Sequence, residues 1–303
     1  MSGAALLAGY AADLAAGDPS RWHPVAGFGT AASTLERAAY APTRARGVLV
    51  TGALVIATAA GAEALARRSR PVALIAVTWA ALGGRSLRRE ALHVADLIER
   101  DDLVGGRAAL RALCGRDAEA LDAGGLSRAV VESVAENTSD AVVGALVWGA
   151  VGGPAGVAAY RAANTLDAMF GHRSERYAAF GWFAAKLDDA MNWPAARLSA
   201  AITCAVAGAV GGSPTATFAT VRRDGSAHPS PNAGMIEAAF AEALGVQLGG
   251  PLAYGAHVEL RPRLGDGRPP EVADIRRATH LSLIVSTAAA LACTAVRTVL
   301  SGR

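Results

Sequence analysis

Long apolar runs, uncharged except for Glu63 in one of them, alternate with polar segments along this chain of 303 residues. A helix that crosses a bilayer needs about 20 consecutive apolar residues. The apolar start at 1–12 is too short. Of the five later runs, 48–66, 141–160 and 198–221 reach about that length, 71–82 covers half a span, and 281–296 is slightly short. The pattern predicts an all-α, polytopic membrane protein.

Two of these runs are interrupted near the middle by residues that break helices. Gly-Gly-Pro at 152–154 interrupts the run 141–160, and Gly-Gly-Ser-Pro at 211–214 interrupts the run 198–221. Proline removes a helix hydrogen bond and glycine weakens the turn. Each half is then about 10 residues, or roughly 15 Å of helix. Two interpretations remain open: re-entrant helical hairpins, or kinked helices that cross the membrane once.

Two larger polar regions lie between the apolar runs. The region 85–140 predicts two or three amphipathic helices, with breaks at 104–106 and 122–125. The region 222–277 is rich in proline and glycine and predicts a long ordered loop, with a helix signal only at 236–244. Loops of that length are usually functional. We expect both regions to belong to one integral-membrane domain that covers residues 1–303.

Composition supports the membrane interpretation and excludes some functions. Hydrophobic residues make up 52% of the chain and charged residues 18%, against about 25% charged in an average soluble domain. The net charge of +3, without basic runs interleaved with aromatic residues, argues against nucleic-acid binding. The three cysteines have no metal-ligand spacing. The sequence contains no phosphate-binding loop, dinucleotide fingerprint or nucleophile elbow.

An acidic motif leads directly into the uncharged run that starts at residue 141. Glu132, Glu136 and Asp140 recur every four residues, so a regular helix would place them on one face. Like charges at that spacing repel, and acids at a membrane boundary are costly without a role. A solvated helix face is the alternative explanation. We favour a functional site.

A second motif follows the same run and mixes hydrogen-bond donors with one carboxylate. Arg161, Asn164 and Asp167 fall on one helix face, and His172 lies just beyond a glycine that ends the helix. An anionic substrate or a magnesium-bound phosphate would need such a set. Ordinary capping of a helix end is the alternative explanation.

Two further polar segments have no single interpretation from spacing alone. Asp188 or Asp189 with Asn192 would hold a divalent cation through oxygen ligands, but a polar interfacial belt explains the same spacing. In the region 222–277, Asn232 and Asp266 have glycine neighbours that fit tight turns or an anion-binding backbone nest. The residues alone leave an enzyme acting on an anionic substrate and a transporter equally open.

Taken together, the motifs resemble the CobD/CbiB family of cobalamin biosynthesis, the membrane-bound adenosylcobinamide-phosphate (cobinamide) synthases. The resemblance covers nearly the whole chain. Its most specific strings are Ala-Glu-Asn-Thr-Ser-Asp at 135–140 and Arg-Ala-Ala-Asn-Thr-Leu-Asp-Ala-Met at 161–169. Asp18-Pro19 and Trp22-His23-Pro24 match near the start. Met235 and Ile236 depart from the family pattern, which bears only on local loop shape.

The resemblance implies an ATP-dependent amide ligase. The family joins the carboxylate of (adenosyl)cobyric acid to aminopropanol or its O-phosphate, giving cobinamide or its phosphate. Amide formation from a carboxylate needs activation, so ATP and Mg²⁺ are expected, with phosphorylation of the carboxylate before attack by the amine. We also expect a multi-pass protein of the cell (inner) membrane with its site facing the cytoplasm. Other membrane enzymes of the pathway are candidate partners.

Roles follow from the resemblance residue by residue. The expected catalytic residues are Glu132, Glu136, Asp140, Asp167 and His172, with Glu132 or Glu136 accepting the amine proton. The expected Mg²⁺ ligands are Asp140, Asp167, Asp188 and Asp189. The expected substrate- and phosphate-binding residues are His23, Asn137, Arg161, Asn164, Arg173, Asn192, Arg197, Asn232, Asp266 and Arg268. A transporter for an anionic or corrinoid solute and a non-catalytic scaffold of the pathway remain alternatives.

Overall fold

A computed structural model describes residues 2–19, 23–115, 117–172, 174–254 and 257–302, without the side chains of 251–254 and 257–259. The chain is 78% helical with almost no sheet, as the predicted fold class requires. The helices up to residue 137 are α1 (Ser2–Ala16), α2 (Pro24–Ala39), α3 (Arg44–Ala66), α4 (Arg70–Ala81), α5 (Gly84–Glu99), α6 (Leu103–Leu110) and α7 (Ala123–Asn137). Those after it are α8 (Gly144–Phe170), α9 (Tyr177–Phe180), α10 (Trp182–Val206), α11 (Pro214–Asp224), α12 (Ala233–Leu244) and α13 (Val272–Ser301).

The remaining elements are short. A π-helix at Thr138–Val143 joins α7 to α8, and a 3₁₀ turn at Ala207–Val210 follows α10. Strand β1 (Leu248–Tyr254) pairs with β2 (His257–Leu264) in an antiparallel hairpin.

Four helical stretches of the described residues are long and apolar enough to cross a membrane. They are Arg44–Ala66, Ala123–Phe170, Trp182–Val210 and Val272–Ser301. This supports the prediction of a polytopic membrane protein. The last stretch extends well beyond the apolar run 281–296, which by itself was slightly short for a span.

The chain divides into two compact units. Unit 1 comprises Met1–Gly83, Asp140–Ala195 and Ala290–Arg303, and unit 2 comprises Gly84–Ser139 and Ala196–Ala289. Each unit is therefore assembled from segments that are distant in sequence. That one integral-membrane domain covers the whole chain stays a prediction.

Helix α8 is the centre of unit 1, where it packs against α1, α2, α3 and α4. Leu166 and Phe170 of α8 contribute to a buried cluster with Phe180 of α9. Beside this cluster, the Arg176 guanidinium donates two hydrogen bonds to Oε1 of the buried Glu36, at 2.7 and 3.2 Å. The hydrogen bond to Glu36 raises the pKa of Arg176. This ion pair ties α2 to the α9 segment.

Helix α8 folds back on itself at Gly153, which has the non-helical angles φ 61° and ψ −147°. The Tyr160 hydroxyl lies 2.7 Å from the Asp140 carbonyl oxygen, although 20 residues of straight helix would separate them by about 30 Å. A Cβ on Gly144 would overlap the Tyr160 ring, and one on Gly149 would lie 2.9 Å from a Val157 methyl group. The chain therefore forms the hairpin that the sequence left open, with one arm before Gly153 and a return arm after it.

Glycine allows both the turn and the close approach of the two arms. Gly153 has a positive φ, which glycine adopts without strain and which residues with a Cβ rarely adopt. The Ala150 carbonyl lies at the end of the first arm, where the last carbonyls of a helix have no intrahelical donor. The Arg297 guanidinium of α13 approaches that carbonyl at 3.4 Å. A cation from the C-terminal helix thus partly replaces the missing hydrogen bond at the hairpin tip.

The second interruption also separates two helices. The 3₁₀ turn after α10 ends at Gly211, which has φ 84°. Ser213 then caps α11 by accepting a hydrogen bond from the N–H of Ala216. The apolar run 198–221 is therefore two helices joined by a turn rather than one kinked span.

Unit 2 is built around α7 and α12, both of which are buried along most of their length. The buried Glu132 side chain of α7 accepts the N–H of Gly249 at 2.8 Å and so holds β1. At the start of α13, the fully buried Asp274 accepts hydrogen bonds from Arg268 at 2.7 Å and Arg277 at 2.8 Å. These charge-assisted bonds close the unit around the β hairpin.

Two predictions about the polar regions need correction. The region 222–277 is not one long loop, because it contains α12, the β hairpin and the start of α13; the helix signal at 236–244 was right. The region 85–140 does form three helices, but the predicted breaks lie a few residues too late. Asp102 and Asp122 cap α6 and α7 by accepting the N–H groups of Gly105 and Gly125, so these glycines belong to first turns.

The hairpin predicts a large difference between two glycine substitutions. Gly144→Ala should destabilise the protein by about 1–3 kcal/mol, because its methyl group has no room beside Tyr160. Gly52→Ala on α3 meets nothing within 4 Å and should be neutral or stabilising by up to about 1 kcal/mol. Thermal unfolding of both variants in detergent measures the difference, and equal midpoints would argue against the hairpin packing.

Candidate functional site

A hydrogen-bonded chain of polar side chains crosses the interior of unit 1. The Tyr160 hydroxyl lies between the Asp140 carbonyl oxygen and the Asn192 amide oxygen, and shares its one hydrogen between these acceptors. Asn192 donates to one oxygen of Asp188 at 2.9 Å. We name the whole chain the Tyr160 network; its side chains are Tyr160, Asn192, Asp188, Asn164 and Arg161.

The other half of the network leads from Asp188 to a cation. Asn164 donates to the second Asp188 oxygen at 3.2 Å, and Arg161 donates to the Asn164 amide oxygen at 3.2 Å. Both carboxylate oxygens of Asp188 are thus engaged by amide groups. A satisfied network of this kind in a low-dielectric interior holds its members in fixed positions.

Helix periodicity and the fold-back together position these side chains. Arg161 and Asn164 lie three residues apart on the return arm, and Asp188 and Asn192 lie four residues apart on α10. Either spacing places two side chains on one helix face. The fold-back adds the Asp140 carbonyl, which would otherwise lie far from Tyr160.

Carboxylates outnumber cations around the Tyr160 network. Asp18, Asp140 and Asp188 all act electrostatically on Arg161. Beside them, His23 caps α2 by accepting the Val25 N–H at 3.1 Å, and its other ring nitrogen lies 3.4 Å from Asp18. Three carboxylates therefore act on one guanidinium. The site therefore attracts a cationic group such as an ammonium.

Arg161 also borders an apolar cavity of about 370 Å³ within unit 1. The cavity is lined by side chains of α2, α3, α4 and α8, among them Phe28, Leu65, Val77 and Ala158. Among the described residues, the buried Nε of Arg161 has no hydrogen-bond partner. Because an unmade hydrogen bond of a buried cation is costly, this group suits an anionic ligand group at the cavity wall.

Other predicted residues of unit 1 lie outside the Tyr160 network. Asp167 is positioned beside Gly171 at the end of α8, and the His172 ring packs edge-on against Tyr177. Asp189 pairs with Lys186 at 3.0 Å on the α10 surface. Arg173 lies outside the described residues. The assignment of Asp167 and Asp189 as Mg²⁺ ligands stays a prediction.

Unit 2 contains a second polar cluster on the turn before α12. Arg197 donates to the Asn232 amide oxygen at 2.7 Å. In the same turn, His228 accepts the Ser230 N–H at 3.0 Å, and its other nitrogen lies 4.0 Å from the Glu237 carboxylate. His228 and Glu237 are both nearly inaccessible to solvent. Arg197 and Asn232 therefore lie together, and their predicted role in substrate binding stays a prediction.

The remaining predicted residues of unit 2 are engaged in structural contacts. Glu132 accepts the Gly249 N–H, whereas Glu136 is exposed. Asn137 donates to the carbonyl and the hydroxyl of Ser133, one turn earlier. Their catalytic and binding roles are not tested by these contacts.

Two loop residues predicted to bind substrate take part in ion pairs. The exposed Asp266 pairs with Arg223 at 2.6 Å, and Arg268 pairs with Asp274 at 2.7 Å. The hydrogen bond to Asp274 raises the pKa of Arg268, and that from Arg223 lowers the pKa of Asp224. These pairs stabilise the loop after β2, whether or not the loop also binds substrate.

The chain matches the family model described as CobD/Cbib protein over residues 6–282. It is 51% identical over 290 residues to the cobalamin biosynthesis protein CobD of Mycobacterium tuberculosis, covering 94% of this chain and 93% of the relative. Proteins of the same name from Chromobacterium violaceum and Geobacter metallireducens are 41% and 39% identical, over 89% and 92% of this chain and 88% and 91% of theirs. The chain belongs to the CobD/Cbib protein family. No solved structure matches it.

Membership of the CobD/Cbib family confirms the resemblance inferred from the motifs, and the structure adds residues that the motifs did not single out. Tyr160 and Asp18 stand inside matching strings but had no assigned role. The sequence offered a signal for each of them. Tyr160 is a tyrosine at the end of an uncharged run, and Asp18 is an aspartate five residues before His23. His228 and Glu237 lie nine residues apart, and only the fold shows that they meet.

The network predicts different consequences for two adjacent substitutions. Asp188→Asn keeps one acceptor oxygen but places amide hydrogens against the other of the two amide groups that now donate to Asp188, which should cost about 1–3 kcal/mol of unfolding free energy. Asp189→Asn removes a surface pair with Lys186 and should cost less than about 1 kcal/mol. Chemical denaturation in detergent compares them; equal losses would count against the network as described.

Proposed function

We propose that this CobD/Cbib family member acts in cobalamin biosynthesis, as the printed name of its relatives states for them. We further propose that it joins the carboxylate of (adenosyl)cobyric acid to aminopropanol or its O-phosphate, forming an amide. The observation that carries this proposal is the Tyr160 network, in which Arg161 borders an apolar cavity and is acted on by the carboxylates of Asp18, Asp140 and Asp188.

The charge of the site suits the amine substrate. Three carboxylates around Arg161 attract the protonated amine of an amino alcohol. The amine must lose a proton before or during attack on an acyl carbon. We assign that proton to Asp140, whose carboxylate acts on both Tyr160 and Arg161. Tyr160 and Asn192 then act as positioning residues.

The Arg161 guanidinium suits the acid substrate. The Nε of Arg161 faces no acceptor among the described residues. A guanidinium binds carboxylates and phosphates through such N–H groups. Binding the reacting carboxylate or its activating phosphate at Arg161 would place the acyl carbon near the carboxylates that attract the amine.

The proposal includes ATP with Mg²⁺ as reactants, because a free carboxylate and an amine do not condense in water without activation. The described residues contain no group of three or more His, Cys, Asp or Glu side chains that would hold a metal ion. Both oxygens of Asp188 are already hydrogen-bonded. The described residues thus do not form a complete Mg²⁺ cage, and we assign no step to a protein-bound ion. Because it consumes ATP, the site should face the cytoplasm.

The test is amide formation by the purified full-length protein in detergent. Cobyric acid, Mg-ATP and either aminopropanol or its O-phosphate are supplied, and the product is identified by mass. Wild type should form one amide per ATP consumed. Asp140→Asn should lower turnover at least about a hundredfold, while the exposed Glu175→Gln, a matched loss of one carboxylate in unit 1, should leave it unchanged.

Separate outcomes would refute separate parts of the proposal. Absence of product with both amines, combined with flux of cobyric acid into liposomes, would replace the ligase by a transporter. Product formation with fully active Asp140→Asn would retain the ligase and reject the assigned base.

A further inference from the structure

The tip of the α8 hairpin has features that the proposed reaction does not use. The return arm begins there at Pro154, which has no N–H. The N–H groups that follow in the first turn of a helix lack intrahelical partners and carry partial positive charge. The arm runs from Pro154 to Phe170, so its dipole is that of a full helix. Such an end attracts an anion, although it is not by itself a binding site.

A buried guanidinium supplies the second, independent observation. Arg297 is 8% exposed, and its Nε has no hydrogen-bond partner among the described residues. Its guanidinium donates to the Ala150 carbonyl over a long distance of 3.4 Å. A Cβ on Gly153 would lie 3.1 Å from Nη2 of Arg297, so this cation points at the start of the return arm.

A second arginine reaches the same point from the surface. Nη2 of Arg70 would lie 3.6 Å from that Cβ on Gly153. Arg70 also pairs with Glu63 at 3.0 Å, and both side chains are well exposed. Two guanidinium groups and a helix N-terminus therefore face one carboxylate, which leaves an excess of positive charge that solvent or membrane can reach.

The surroundings favour a lipid as the source of the anion. Large apolar side chains next to the tip residues in sequence are exposed: Val72, Val151, Val296 and Leu300. They belong to elements that lie within or beside the candidate membrane spans. A phosphate bound at the arginines would come with acyl chains that these side chains can contact, as at a headgroup boundary.

We propose that the hairpin tip binds the phosphate of an anionic membrane lipid through Arg297, Arg70 and the first N–H groups of the return arm. The bound phosphate accepts the hydrogen bonds that Arg297 otherwise lacks, and it stabilises the positive end of the return arm. Lipid binding would thereby hold the fold-back in place. The proposal does not depend on the reaction assigned to the Tyr160 network.

The experiment uses the full-length protein, stripped of lipid in detergent, and phosphatidylglycerol in phosphatidylcholine mixed micelles. Native mass spectrometry counts bound lipid, and titration gives its dissociation constant. Wild type should retain phosphatidylglycerol in preference to phosphatidylcholine. Arg70→Gln should weaken binding about tenfold, the value of one charge-assisted hydrogen bond. Glu63→Gln, which frees Arg70 from its competing carboxylate, should tighten it.

Matched controls make the outcome decisive. Arg68→Gln removes the same charge from the exposed turn between α3 and α4 and should change binding less than twofold. Equal weakening in Arg68→Gln and Arg70→Gln would show diffuse attraction and overturn the site. Release of the lipid by equimolar inorganic phosphate would overturn the assignment to a lipid. Arg297→Gln should also lose binding, but this change removes the hydrogen bond to the Ala150 carbonyl as well. The Arg70 and Glu63 variants leave that bond intact and therefore test lipid binding separately from the hairpin contact.

Discussion

The fold-back at Gly153 is the constraint on which the arrangement of unit 1 depends. A straight helix would carry Tyr160 about 30 Å away from Asp140, whereas the hairpin brings the hydroxyl to 2.7 Å from the Asp140 carbonyl. Glycine is needed at the turn because φ is positive there, and at Gly144 because the Tyr160 ring occupies the space of a side chain. The Gly-Gly-Pro interruption is therefore a structural requirement of the polar site.

The Tyr160 network shows how a chain with few charges concentrates them. Asp188 and Asn192 are almost fully buried in a helix of a membrane-length stretch, where unpaired polar groups are costly. Each hydrogen-bonds to another member of the network, so the cost is offset while the geometry becomes fixed. The buried Nε of Arg161 has no hydrogen-bond partner among the described residues. The apolar composition of the chain thus indicates a membrane environment, and the positions of its few buried polar residues indicate the site.

Local patterns predicted the parts of the site that lie on one helix. The spacing of Arg161 with Asn164, and of Asp188 with Asn192, is a helical spacing that can be read from the sequence alone. The prediction that Glu132, Glu136 and Asp140 share a face assumed a regular helix, and the π-helix at Thr138–Val143 changes that register. Such a bulge has no distinct sequence signal, although it is frequent at functional sites.

Contacts between distant segments could not be predicted in the same way. The sequence could not distinguish a hairpin from a kinked span, because the distinction depends on a contact between distant residues. In the structure, the Tyr160 ring of the return arm lies against Gly144 of the first arm. Likewise, Glu132 accepts the N–H of Gly249, which lies in β1. The residues around β1 are rich in proline and glycine and therefore predicted a loop. Proline and glycine in that region marked the turns correctly but concealed β1, β2 and the start of α13.

Disulfide formation between cysteines introduced on the two arms tests most directly whether α8 folds back into a hairpin. In a protein whose native Cys114, Cys204 and Cys293 are replaced by alanine, Gly149→Cys and Val157→Cys would bring two sulfur atoms within bonding range, since the two positions touch across the arms. Eight residues of straight helix would separate them by about 12 Å. The control pair Ala141→Cys and Gly149→Cys has the same separation on one arm. The account predicts that mild oxidation links the first pair and not the second, as read by peptide mass. Reactive but unlinked cysteines at 149 and 157 would contradict the fold-back.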